Sequence, residues 1–204
     1  FSVRRIALKV RAAASGSFAL RLRAGVRHMD RKEIDQYITN WLIGSRPQYK
    51  VLSYQISGED DLAAPVQIEY ELSCAKQLDI VGGTRYLLPF LFTSRNFLSD
   101  ARLDDREIPL WLGYPWQTID TVTISGSILA RATQVITPPD TAWSYPWGDM
   151  IAHFTASDSI VTALLVQTYP QPVIPVSDFK DFKNYVGKRR WIVDQAVKFE
   201  MTPP

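Results

Sequence analysis

A single cysteine, Cys74, among 204 residues leaves no intramolecular disulfide and no multi-cysteine metal site to consider. Histidine is almost as scarce: His28 and His153 stand alone, in no spacing that metal ligands use. No apolar run approaches the roughly 18–20 residues that span a bilayer, so no transmembrane segment is expected. The net charge of +2 is too small to argue for a nucleic-acid or acidic-membrane partner. Internal repeats and low-complexity segments are also missing. The chain opens FSVRRIALKV, without the charged-then-apolar layout of a signal peptide, and reads as a piece of something longer. What remains is an ordinary globular composition, long enough to bury a sizeable core.

The patterns present are mostly those of strands. Ile6, Leu8 and Val10 alternate with Arg5, Lys9 and Arg11. After Ala14-Ser15-Gly16-Ser17 the alternation resumes with Phe18, Leu20 and Leu22 against Arg21 and Arg23. Period two on both sides of a Gly/Ser turn predicts a β-hairpin. Seven basic residues precede the first acid, Asp30. Such a hairpin would gather Arg5, Lys9, Arg11, Arg21 and Arg23 into a face for an anionic partner. The alternative is a solvated face that discourages edge pairing. No aromatics interleave it for base stacking, and no nucleic-acid role is assigned.

Asp30 followed by Glu33 resembles a capping box. Ile34, Tyr37, Ile38, Trp41 and Leu42 then form one apolar stripe, predicting a helix near 31–43 ended by Gly44 and Pro47. Strands are expected near 51–57 and 66–73. Pro89 makes 86–92 an edge strand or an irregular crossing. The polar stretch 93–107 divides an N-terminal half, 1–105, from a C-terminal half, 106–204, which are free to pack as one domain. Short strands are predicted near 118–125, 128–137, 142–147, 150–156 and 160–168. A second helix follows near 178–193, then a last strand to Met201. The fold class expected is mainly β (α+β): antiparallel, sandwich-like sheets with two helices.

No catalytic residue is assigned. Cys74 lies in a strand pattern, where a small buried thiol is the usual explanation, and no base is placed beside it. The acidic run Asp100, Asp104, Asp105, Glu107 lacks a calcium loop's spaced ligands and turn glycine and reads as a solvated loop. No metal or cofactor is expected. Trp111, Trp116, Trp143 and Trp147 invite a glycan-stacking reading, although such rings more often complete a core. Trp111, Tyr114 and Trp116 form a compact aromatic-proline segment suited to anchoring an interface. Of the three, Trp111 is expected inside and Trp116 nearer the contact surface.

The order of several pieces resembles a known arrangement: Gly16-Ser17-Phe18-Ala19-Leu20-Arg21-Leu22-Arg23 before a helix ending near Trp41, then Leu87-Leu88-Pro89-Phe90. Arg106-Glu107-Ile108-Pro109 with Gly113-Tyr114-Pro115 follows, and last Tyr169-Pro170 leading to Tyr185. It is similar to a C-terminal domain of unknown function that follows a transglutaminase-like core in large exported bacterial proteins. The chain departs from that pattern at Ile124-Ser125-Gly126-Ser127, where the family tends to carry a proline-containing turn. The resemblance implies a non-catalytic accessory domain packed beside such a core, with export and neighbouring domains of the same polypeptide as partners. The family's Cys/His/Asp triad belongs to the core and none of it is placed here. An independent glycan- or peptide-binding module is the alternative.

Overall fold

The structure, a computed structural model, describes residues 6–43, 49–74, 79–81, 84–92 and 105–201. β1 (Ile6–Gly16) runs directly into α1 (Ser17–Val26), and α2 (Arg31–Ile43) follows. Next come β2 (Tyr49–Ser57), β3 (Val66–Cys74), β4 (Asp79–Val81) and β5 (Thr84–Leu87). β6 (Leu110–Trp111), β7 (Trp116–Gly126), β8 (Ala132–Ile136) and β9 (Thr141–Tyr145) continue the chain. β10 (Gly148–Ala156), β11 (Ile160–Tyr169) and β12 (Val173–Ile174) lead to α3 (Phe179–Val193) and β13 (Val197–Met201). About half of the residues are strand and a quarter helix, so the mainly β expectation holds. No described helix is long and apolar enough to cross a membrane.

Seven antiparallel strands form the main sheet in the order β2-β3-β1-β7-β11-β10-β9. The two expected halves meet inside it, because β1 pairs with β3 on one side and with β7 on the other. The pleat sorts side chains by parity. Leu8 and Val10 of β1, Val66 to Leu72 of β3 taken alternately, Val122, Ile124 and Leu165 all point into the core. Lys9, Arg11, Glu69, Glu71, Thr121 and Thr123 occupy the other, wet face, the usual division for an antiparallel sheet. α1 lies against β1, β3 and β7 on the buried side. The 3₁₀ turn Pro89–Phe92, α3 and a second sheet, β4-β5-β13-β8, complete the same core through Phe90, Phe182, Leu87, Val197 and Phe199.

The predicted hairpin does not form. Residues 17–26 are helix, giving three α-helices where two were expected. Gly16 turns the chain with φ +67°, and a Cβ there would lie 2.0 Å from the Pro115 carbonyl oxygen, so only glycine fits. The Ser17 amide then donates to Pro115 O at 3.3 Å and its hydroxyl to Tyr114 O at 3.2 Å. FALRLRA is built of strong helix formers, and Ala19, Leu22 and Val26 supply a buried face at i, i+3 and i+7. Leu20, which alternation would bury with Leu22, is 53% exposed.

The helix also relocates Arg23, which is 8% exposed. Its Nε and Nη2 both donate to Gly58 O, at 3.2 and 2.8 Å, and Nη2 also donates to Asp61 O at 2.5 Å and Ala64 O at 2.7 Å. One guanidinium thus fastens the β2–β3 loop to α1. We expect Arg23→Ala to cost about 2–3 kcal/mol in a urea titration, the worth of charge-assisted bonds to carbonyls that must otherwise find water. A loss within about 0.5 kcal/mol, the scale of an ordinary surface change, would mean the clamp contributes nothing.

The second helix starts as the sequence predicts. The Asp30 amide donates to Glu33 Oε2 and the Glu33 amide to Asp30 Oδ1, both at 2.8 Å, the reciprocal capping box. Ile34 and Tyr37 pack against the core. The side chains of Ile38, Trp41, Leu42 and Cys74 lie outside the described residues, as do Gly44, Pro47, Gly82, Gly83, Asp100 and Asp104. Pro89 starts the 3₁₀ turn rather than a strand, as its missing N–H and fixed φ favour.

Candidate interaction surface

The segment from Leu110 to Trp116 is held out as a short arm on two supports. β6 pairs with β12, Trp111 opposite Val173 and Leu110 opposite Ile174. The Leu112 amide donates to Pro172 O at 2.7 Å. Leu110 and Leu112 are buried at 8% and 2%, so period two turns Trp111 outward, 65% exposed. Gly113, at φ +97°, then breaks the phase. After it Tyr114 is outward at 64% and Trp116 inward at 3%. This reverses the expectation for the tryptophans: Trp111 is the surface ring and Trp116 the core ring. Trp116 stacks on Tyr169, centroids 4.2 Å apart, because β7 and β11 place the two opposite each other.

Trp111 and Tyr114 meet edge to face, with centroids 6.0 Å apart and planes at 74°. Arg21 of α1 extends toward the same arm: its Nη2 lies 3.8 Å from where a Cβ on Gly113 would project. No described carboxylate pairs with this guanidinium. Exposed Ile108 and Val173 flank the rings in sequence and in register. The patch therefore offers two large rings, a cation with no ion pair among the described residues, and aliphatic surface on a backbone braced by α1 and β12. Comparison with known families, curated proteins and solved structures returns no match.

The five basic residues expected on one face do not share one. Lys9 and Arg11 are on the wet face of the sheet, but the register sets Lys9 opposite Glu71 and Arg11 opposite Glu69. Arg11 Nε is 3.0 Å from Glu69 Oε1, and its Nη2 donates to Gln67 Oε1 at 2.7 Å. The charge of Arg11 is answered within the sheet. Arg21 belongs to the aromatic arm, Arg23 is buried, and Arg5 lies outside the described residues.

The glycan reading loses two of its four platforms, since Trp116 and Trp147 are core residues. Trp147 sits among Tyr145, Phe182 and Tyr185 at 4.8, 5.4 and 5.0 Å between centroids. The near-perpendicular Trp111 and Tyr114 cannot both offer faces to one flat ring. His153 Nδ1 pairs with Asp140 Oδ2 on the wet face, and the Phe154 amide donates to Asp140 Oδ1 at 2.8 Å. That amide, and then the imidazole, hold the Asp140 carboxyl below its ordinary range. Leu164 faces His153 across the β10–β11 ladder, so the pair fastens a loop rather than activating a hydroxyl. An open groove of about 430 Å³ beside β8 has Asp158 as the sole charge in its lining.

One group escaped sequence reasoning altogether. Asp120 is 2% exposed on the core side of β7, in phase with Val122 and Ile124, and that parity was its sequence signal. Burial pushes its carboxyl up to about 7, with Arg189 of α3 pulling the other way. The Arg189 Nε donates to Gln167 Oε1 at 2.8 Å, and Gln167 Nε2 to Thr118 Oγ1 at 3.5 Å. No described donor reaches Asp120 Oδ2. Tyr70 is raised too, first by its own burial and then by Asp120.

Proposed function

We propose that this chain is a non-catalytic interaction domain that docks a neighbouring domain of its own polypeptide through the Trp111–Tyr114–Arg21 patch. The carrying observation is the exposure of Trp111 and Tyr114, 65% and 64%, on a backbone held by buried leucines to either side of Trp111. Large rings left in water serve no purpose in an isolated fold and become a gain when a partner covers them. Tryptophan, tyrosine and arginine are also the residue types that carry most binding energy at interfaces. A braced arm limits the entropy lost on docking. The resemblance drawn from the chain's motifs supplies the partner: a transglutaminase-like core in an exported bacterial protein, whose cleft the domain would flank.

The test uses the polypeptide encoded upstream of Phe1, produced separately and titrated with this chain by calorimetry. Trp111→Ala and Tyr114→Ala should each weaken association about tenfold or more, the effect of truncating a hot-spot residue. Their melting temperatures should stay near that of the parent. Association that is indifferent to both substitutions would remove the docking role.

A further inference from the structure

The seven-stranded sheet ends in two edges that are defended very differently. β2 carries Lys50 and a register shift between Val51 and Ser53, and α2 lies against it. Charge, bulge and cover are the ordinary protections of an edge strand. β9, with the sequence TAWSY, has no charge, no internal proline and no shift in its register with β10. No described strand pairs with its other side.

Beside that edge stands a cation with no counter-charge among the described residues. Lys188 of α3 donates from Nζ to the Tyr145 hydroxyl at 3.1 Å. The ammonium lies 5.2 Å from the Trp143 ring centre and 5.6 Å from that of Tyr145. It is part-buried, and no described carboxylate forms an ion pair with it. Trp191, 45% exposed, meets Trp143 edge to face at 6.3 Å and extends the frame. Ring faces attract an ammonium but leave its charge uncompensated.

We propose that β9 accepts an extended peptide segment bearing an acidic side chain, which joins the sheet as an added strand and sets its carboxylate on Lys188. Main-chain pairing with a bare edge supplies affinity in strand addition, and alternate side chains supply selectivity. Here the selective element is the charge-assisted bond to Lys188. A second copy suits the edge less well. Antiparallel self-pairing about Trp143 would draw two Lys188 ammoniums to one seam, and like charges there oppose it. This surface is separate from the Trp111–Tyr114 patch and stands whether or not that patch docks a neighbour.

Fluorescence anisotropy with labelled octapeptides tests it directly on the 204-residue chain. The probes alternate valine with glutamate or valine with lysine, and a third glutamate peptide carries N-methyl groups on alternate amides. The glutamate probe should bind about tenfold or more tightly than the lysine probe, the worth of one charge-assisted bond. Lys188→Gln should erase that difference, and N-methylation should abolish binding by blocking the ladder. Equal affinity for both charges, or a preference that survives Lys188→Gln, would overturn the proposal. Dimerisation in sedimentation that Ala142→Lys disrupts would assign the edge to a second copy instead. Quenching of tryptophan fluorescence by a hexasaccharide, with no peptide response, would assign it to glycan.

Discussion

Trp116→Ala should destabilise the fold by about 3–5 kcal/mol, and Trp111→Ala by no more than about 0.5 kcal/mol. The two rings are five positions apart in one aromatic-proline segment and chemically identical, so the contrast isolates burial. Trp116 is 3% exposed and stacked on Tyr169 at 4.2 Å. Tyr169 in turn stacks with Trp147 at 6.5 Å and hydrogen-bonds to the Tyr185 hydroxyl. Removing the indole opens a cavity between β7, β11 and the end of β1, where Gly16 pairs with Trp116. Backbone ladders on both sides keep that cavity from collapsing, and residual cavity volume is what makes a truncation expensive. Trp111 already faces water, and its loss removes contacts to Tyr114 alone among described rings. Urea titrations of both variants decide the point. Equal losses would mean that the outward ring also packs against the fold, which would undercut its proposed role in docking.

How far the sequence could be read depended on whether one local rule acted alone. The capping box at Asp30 and Glu33 is a short-range device, and it formed as written. So did α3 and most strands of the second half, where turn residues and alternation agree. The expected 128–137 strand instead starts as the 3₁₀ turn Leu129–Arg131 and is strand only over Ala132–Ile136. Residues 18–26 failed because FALRLRAGV fits both periods over nine positions. The decision fell to Gly16, whose left-handed turn is fixed by the distant carbonyl of Pro115. Helix propensity then outweighed alternation. The same error carried the basic face with it: once 17–26 is helical, Arg21 and Arg23 leave β1, and Arg23 becomes a clamp on the carbonyls of 58–64. Trp111 and Trp116 were reversed because Trp116 shares the inward parity of Leu110 and Leu112 while Trp111 has the outward one; only Tyr114, just after Gly113, leaves that phase. Leu110 and Leu112 on either side of Trp111 were the legible hint. Nothing local marks Lys188, because the β9 edge exists only through the strand order of the whole sheet.

The deepest consequence of that order falls on Asp120. Its core position raises the carboxyl from 3.8 to about 7, burial being the larger cause and Arg189 a partial offset. A raised folded-state pKa means that the native chain holds its proton where the unfolded chain has released it. Stability is then fully present below the unfolded value near 4 and is lost as pH rises through about 7. At about 1.4 kcal/mol per pKa unit, that difference sets an upper bound of about 4 kcal/mol on the loss between pH 4 and 8. Asp120→Asn keeps the shape without the charge, so its urea midpoint should vary far less over this range. At pH 8 the variant should be the more stable protein, by less than the full amount because the buried amide lacks an acceptor. The difference between the two profiles cancels every titration that the two proteins share. Arg189→Gln should extend the loss to higher pH, since the cation now favours the ionised carboxyl and its removal raises Asp120 further. Parallel profiles for parent and Asp120→Asn would show instead that Asp120 ionises freely in the fold and that its place beneath α3 is wet.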